Sequence, residues 1–396
     1  MMGRANQDGV ALLLALLMVV LLTVIVVEFG YEMQVEASLA ANQVDEVKAY
    51  LTAKSAIAIG MSLLSSDLLE QQSTQATDSH QDVWWTTTHP NGEGATAAID
   101  QGFYQRMPDG KGEFTVVIDD EWGKIPLNAL IAAPTQSVIG QNQTSGTNNN
   151  DNTKATTTNS ATSSNQDSSF GTPPVGQGGQ VNPVLVDTLH ALFTSVLGMK
   201  EDPTDAIVDW IDEDDTEYGP NGAEQSYYDT LDPPYRCKNG PLNSVQELLM
   251  VRGITPEVFF GNPDQNIPPL YDLVTVHGNP NGQINANTAP YEVLLALEQA
   301  GQGRWAGLSD EIRDQRLNSP FLTKQDMRQR LSSWPPKDPQ NPDPQPDPPL
   351  VVLSKTFHIQ GDAFYNGVKT RIDAYVWRDM GEGTERFRVL DWRVTR

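Results

Sequence analysis

The sequence predicts an α+β fold led by one long helix, and three observations carry that reading. An uncharged apolar run fills Val10 to Val27, and helical spacing continues beyond it without a break. Two β-rich stretches far apart in the chain, "EFTVVI" at residues 113–118 and an alternating segment after residue 350, enclose a middle patterned as helices. A chain of 396 residues has room for more than one compact unit.

The opening run is about 18 residues, near the lower limit for crossing a bilayer of roughly 30 Å as a helix. A cleaved secretory signal would show a basic start, a shorter apolar centre and a small-x-small cleavage site. Here Arg4 is the only basic side chain ahead of the run, no Ala-x-Ala follows it, and nothing breaks the helical pattern until about Ser65. Val44, Val47, Leu51, Ala58 and Met61 recur at helical spacings, while Glu28, Glu32 and Glu36 form an acidic stripe at i, i+4 and i+8. The span therefore opens one helix of about 55 residues.

Charge and cysteine content exclude several classes. With 26 basic against 51 acidic residues the net charge is −25, which repels phosphate backbones, so no nucleic-acid partner is expected. Cys237 is the only cysteine, which excludes an internal disulfide and the usual cysteine-based zinc and redox sites.

"EFTVVI" reads as a strand, and "DDEWGKIPLN" follows as a turn into Asn128. Residues 134–180 are almost wholly Ser, Thr, Asn, Gln and Gly, too polar to offset the entropy of ordering, and read as a disordered surface loop. Beyond it Leu185, Leu189, Leu192 and Val196 keep helical spacing, with Asn182 placed as the cap. The C-terminal stretch alternates as strands, with "FYNGVK" and "MGEGTE" supplying turns for an antiparallel meander.

A membrane helix that continues as a stalk, behind a nine-residue polar leader ending in Gly9, resembles the prepilin class of signal. That resemblance implies cleavage after Gly9 by a prepilin peptidase, methylation of the new N-terminus at Val10, and retention of the helix. A plain type II anchor with an incidental glycine is the other reading. Most members of the class carry Glu at mature position five, where it neutralises a neighbour's amino terminus; this chain has Leu14 there. An unpartnered charge buried in an apolar core costs several kcal/mol, so Leu14 suits a subunit with a special position, such as a tip.

"DWIDEDD", "GAEQSYY", "PPYRCKNGPLNSVQELLMVRG" and "INANTAPYEVLLAL", with "DDEWGKIPLN" before the loop, are similar to the protein K family of minor pseudopilins of the type II secretion system. The resemblance implies a pseudopilin fold: a long N-terminal transmembrane helix, a small antiparallel β-sheet, and a large inserted α-helical domain. On that layout residues 1–9 are leader, 10–69 membrane and stalk helix, 70–133 the first part of the α/β domain, 134–180 the loop, 181–349 the insertion and 350–396 the completing strands. It further implies a tip of three minor pseudopilins that starts the pseudopilus and helps export folded proteins across the outer membrane. The chain would be single-pass in the inner membrane with its body in the periplasm.

The one candidate for site chemistry is an acidic stretch. Asp209, Asp212, Asp214, Asp215, Glu217, Glu224 and Asp229 crowd around the turn "YGPNGA", and hard oxygens at that density suit calcium. Thr216 and Glu217 occupy positions where an EF-hand needs Asp and Gly, so this is not that loop. The family resemblance implies calcium here, carried over to Asp212, Asp214, Glu224 and Asp229; a solvated acidic turn is the plain alternative. Trp210, Tyr227, Tyr228 and Tyr235 read as packing. The segments around residues 243–259 and 285–303 resemble halves of a helix-hairpin-helix element. From Asn285 to Arg330, however, six basic residues meet six acidic ones, leaving no excess charge for DNA. No nucleophile elbow, phosphate loop or dinucleotide fingerprint appears, and the five histidines are scattered. A membrane-tethered periplasmic hydrolase using paired acids of the Asp-rich stretch is the alternative from another class. The expectation is a non-enzymatic assembly subunit.

Overall fold

A computed structural model describes residues 5–71, 76–89, 102–132, 180–265, 267–335, 346–379 and 386–396. Helix α1 (Ala5–Gln71) and the short α2 (Val83–Thr88) lead into strands β1 (Phe103–Arg106) and β2 (Gly112–Asp120). Three two-residue strands follow: β3 (Ile125–Pro126), β4 (Ile131–Ala132) and β5 (Gln180–Val181). The middle of the chain holds α3 (Pro183–Ala191), α4 (Thr204–Ile211), α5 (Gln225–Tyr228) and α6 (Pro256–Phe260), then β6 (Val274–Thr275) and β7 (Ile284–Asn285). Helices α7 (Tyr291–Ala300), α8 (Leu308–Asn318) and α9 (Lys324–Arg330) precede β8 (Leu350–Val351). The chain closes with β9 (Thr356–Tyr365), β10 (Val368–Asp379) and β11 (Arg386–Thr395). Most of the loop read at residues 134–180, the "MGEGTE" turn and residues 1–4 of the leader lie outside the described residues.

Contacts divide the chain into two compact units, one of residues 1–73, 81–119 and 357–396, the other of residues 74–80 and 120–356. The first holds α1 and a sheet of strand order β1-β2-β9-β10-β11. Its terminal pairs, β1–β2 and β10–β11, are antiparallel. Strand β2 alternates buried and half-buried residues along its length, as a strand with one covered face must. Phe114, Val116, Ile118, Phe357, Ile359, Ile372, Ala374 and Val376 form the covered face, and Ala53, Ala56, Ile57 and Leu64 of α1 complete the core with Trp84. Each large side chain so buried contributes about 1.5–3 kcal/mol.

That packing explains which face of α1 is used. A Cβ on Gly361 would lie 3.0 Å from the Ala53 carbonyl oxygen, and one on Gly60 would lie 2.6 Å from Ile359 Cγ2. Helix and sheet therefore approach through Ala and Gly, and a bulky face has no room there. The apolar positions Val44, Val47 and Leu51, whose spacing is the sequence's amphipathic signal, are instead exposed. Asn366 and Gly367 turn the β9–β10 hairpin with φ of 46° and 94°, the two positive values a type I′ turn requires. Residues 10–44 of α1 are exposed, and the helix there is long and apolar enough to cross a membrane.

The second unit is built from short helices; the longest described is α8, at 11 residues. Proline and capping side chains set their starts. Asn182 accepts the Leu185 N–H ahead of Pro183, and Thr255 and Thr323 accept N–H groups in the first turns of α6 and α9. Leu185, Leu189 and Leu192 are fully buried in a core that includes Val293, Leu294 and Leu297 of α7. Helix α3 gives way to a π-type turn over Leu192–Val196.

At the two ends of this unit's longer segment, Asp120 and Thr356, its parts are tied by a buried carboxylate. Asp120 accepts from the Trp122 N–H at 2.8 Å, Asn285 Nδ2 at 3.0 Å, Thr288 Oγ1 at 2.6 Å and Ser354 Oγ at 2.6 Å. Asp78, also fully buried, accepts the Ser354 N–H at 2.7 Å. Burial, then the neighbouring Asp78 charge, pushes the Asp120 carboxyl up to about 6.

Candidate metal centre

The acidic stretch folds around the end of α4. Asp205, Asp209 and Asp212 sit four and three residues apart, a spacing that places them on one face of the helix and its extension. Asp212 ends the helix: its N–H bonds to the Val208 carbonyl at 2.9 Å while its own backbone turns extended. The following residues loop out and return, because Asp209 captures them. Its carboxylate accepts the Tyr218 N–H at 2.8 Å and the Ala223 N–H at 2.6 Å. Asp205 accepts the Asn221 N–H at 3.1 Å. The return passes so close that a Cβ on Gly222 would lie 2.5 Å from Asp209 Oδ2, which explains the glycine of "YGPNGA".

This closure delivers Glu224, at the start of α5, to the same place. One carboxylate oxygen from each of Asp209, Asp212 and Glu224 lies within 4.8 Å of the others. Glu224 is 2% exposed, and neither of its side-chain oxygens has a donor; Asp212 Oδ1 is likewise buried without one. Buried carboxylate oxygens without donors are costly, and the pKa directions register that cost. Burial first, then the Asp209 and Asp212 charges ahead of Asp215 and Asp214, pushes Glu224 up to about 8. Burial, then Asp209 and Asp214, pushes Asp212 up to about 7. Asp209 is raised by burial against the N–H groups that favour its charge.

The donor set fits a hard cation. It is all oxygen, and calcium takes six to eight oxygens, several of them commonly backbone carbonyls or water. The nearby thiol does not contribute: Cys237 Sγ faces the Asp209 carbonyl at 3.7 Å, and burial pushes it up to about 11, far from a thiolate ligand. A cation at this point would discharge three mutually repelling carboxylates and bind the end of α4 to the start of α5.

Of the residues named from the sequence, Asp212 and Glu224 stand in this cluster. Asp214 is exposed and accepts the Thr216 N–H at 2.8 Å, close enough to raise Asp212 by its charge. Asp229 is exposed and accepts from Gln225 Nε2 at 2.7 Å. Asp209 was not among the named ligands, and its place on the Asp205–Asp209–Asp212 face was the signal available. The aromatic residues pack beneath: Trp210 and Tyr228 are buried edge to face, ring centroids 5.1 Å apart, and Tyr235 lies 5.2 Å from Tyr228. The processing residues lie on α1, with Val10 exposed.

Comparison with known proteins places these features in context. Residues 159–260, which include the whole carboxylate cluster, match the model of the family described as type II secretion system (T2SS), protein K. A Type II secretion system protein K of Pseudomonas aeruginosa is 22% identical over 335 residues, covering 83% of this chain and 78% of that protein. A protein K of Aeromonas hydrophila is 43% identical over 56 residues, 14% of this chain and 17% of its own length. In fold, the chain is similar to a chain in the crystal structure of the GspK–GspI–GspJ complex from the enterotoxigenic Escherichia coli type 2 secretion system. The TM-score is 0.55 at 19% identity, covering 90% of this chain and 99% of that one.

Proposed function

We propose that this chain, a relative of type II secretion system protein K in sequence and in fold, is a minor pseudopilin that helps form the tip of the pseudopilus. The observation that carries the reading is α1: a membrane-length exposed apolar segment runs unbroken into the helix that completes the sheet's core. Such a helix anchors and bundles; it is not a disposable signal. The similar solved structure is a complex of GspK with GspI and GspJ, which supports two other minor pseudopilins as partners in a heterotrimeric tip.

In this reading a prepilin peptidase cleaves after Gly9, Val10 becomes the methylated N-terminus, and the acidic body stands in the periplasm. Leu14 gives the subunit no carboxylate to neutralise a neighbour's amino terminus, which favours a place above the others. The unit of residues 120–356 adds bulk that obstructs further stacking. Both features restrict it to the tip, and its role is architectural, without catalysis. Asp209, Asp212 and Glu224 bind calcium, with Asp214 and Asp229 outside them, and the ion locks the loop from Asp212 to Glu224.

The test is secretion. Deleting the chain should abolish export of the system's folded substrates, the full chain should restore it, and a version lacking residues 1–27 should not. Restoration by the truncated chain would refute the anchored-subunit reading.

A further inference from the structure

Within the unit of residues 1–73, 81–119 and 357–396, the fold brings together two histidines that stand far apart in the sequence. His89 is the C-cap of α2, and His358 lies among the half-buried positions of β9 that alternate with the covered ones. Asp119 of β2, and Asp373 and Tyr375 of β10, occupy the same half-buried series on their strands. Asp119 sits between the two rings: its Oδ1 lies 3.4 Å from His89 Nε2, and its Oδ2 lies 3.9 Å from His358 Nδ1. Each imidazole is held flat against an aromatic ring. His89 stacks on Trp85 with centroids 3.5 Å apart, and His358 on Tyr375 at 4.6 Å. Both histidine side chains are largely buried, 10% and 15% exposed.

The far nitrogen of each ring is already committed. His358 Nε2 lies 3.1 Å from Asp373 Oδ1, a carboxylate oxygen that accepts, so Nε2 carries the proton of the neutral ring. His89 Nδ1 lies 3.1 Å from Thr88 Oγ1, which gives its own hydrogen to the Trp84 carbonyl at 2.8 Å and accepts from Nδ1. The two near nitrogens therefore turn lone pairs toward the Asp119 carboxylate. Acceptors that face acceptors repel unless a cation stands among them. We propose that His89 Nε2, His358 Nδ1 and the Asp119 carboxylate hold one divalent transition-metal ion of the zinc class, with water as the fourth ligand. Bonds of about 2.0–2.1 Å set tetrahedral ligand atoms roughly 3.3 Å apart. The His89 edge already has that length, and a rotation of the carboxylate toward His358 closes the other. Asp373 and Thr88 orient the rings from behind, as the outer partners of a metal-bound imidazole do. Charge agrees, since Asp119 as ligand and Asp373 behind His358 supply two negative charges for a divalent ion. The ion pins the end of α2 to β2 and β9. It shares no ligand with Asp209, Asp212 and Glu224, whose oxygens suit calcium, and nothing in the site depends on the pseudopilin role.

The experiment uses the untagged full chain, extracted from its membrane and stripped with a chelator, then titrated with zinc in excess calcium. One zinc per chain should bind and raise Tm reversibly, and cobalt(II) in its place should show the intense visible bands of a four-coordinate ion. His89→Ala and His358→Ala should each weaken zinc binding at least hundredfold and abolish those bands. Asp373→Asn should weaken it about tenfold, by loosening the His358 ring. Glu224→Gln, in the acidic cluster, should leave zinc affinity within threefold. The cobalt bands report on ligation itself, so a histidine variant that melts lower without metal is still read. Absence of zinc binding, binding indifferent to both histidines, or binding lost in Glu224→Gln would each overturn the proposal. A Tm that rises on acidification through His89 and His358, with no response to zinc, would assign the cluster to protons and overturn it as well.

Discussion

Asp120 and Glu224 are both buried carboxylates of the same unit, and they differ in who completes them. Asp120 has four donors from its own chain, drawn from residues 122, 285, 288 and 354. Glu224 has none, and its neighbours are two further carboxylates. Burial raises both, to about 6 and about 8. One is a finished internal tie, and the other is a buried carboxylate with no donor from its own chain. The contrast separates an acid satisfied by its own chain from one that is not: what differs is the donor count, not the burial.

The largest effect that sharpens this contrast is calcium itself. Saturating the centre at about a hundredfold over its Kd should stabilise the protein by about 3 kcal/mol, read as a rise in Tm that a chelator reverses. Glu224→Gln should abolish the rise and, because it removes an unsatisfied charge, should make the metal-free protein more stable above pH 8. An unchanged melt with calcium or chelator would remove the metal claim. Next, Asp120→Ala should cost about 3 kcal/mol by stranding its buried donors, and calcium should leave that deficit in place.

The pH dependence breaks the comparison along a second axis. Asp212 and Glu224 have folded pKa values raised above their unfolded ones, so each folded carboxyl holds its proton more tightly than the unfolded chain does. Stability of the metal-free protein should therefore fall as pH rises toward about 8, and level off beyond it. Calcium should flatten that slope above neutrality. For Asp120 the same sign applies at lower pH: its contribution should be lost between about 4 and 6, so Asp120→Asn should make the fall shallower in that window, where Asp212 and Glu224 still act, and leave the slope above pH 6 unchanged. The smallest effects belong to the exposed pair. Asp214→Asn and Asp229→Asn should weaken calcium binding less than tenfold by titration calorimetry, against at least a hundredfold for Asp212→Asn.

What was legible in the sequence was what is local. The apolar run and its helical continuation give α1, Asn366–Gly367 gives the hairpin, and Asn182–Pro183 gives the start of α3, because each is decided by neighbours along the chain. The pairing of β2 with β9 joins strands more than 230 residues apart, and no local pattern encodes it. The expectation of one sheet closed by such strands came from family resemblance. The face of α1 that meets the sheet was hidden for another reason: close approach selects Ala and Gly, which give a weak apolar signal, while the conspicuous valines and Leu51 face outward. At the carboxylate cluster Asp212 and Glu224 came with the resemblance. Asp209 was harder to place, since its role depends on a return of the chain that its own neighbours do not announce.

The central claim is that α1 remains on the mature protein as its anchor and bundling rod. The most direct measurement is the mass of the N-terminal peptide from protein extracted out of the membrane. The account predicts a chain that starts at Val10 and carries one methyl group; a chain starting at Met1, or beyond Val27, would contradict it.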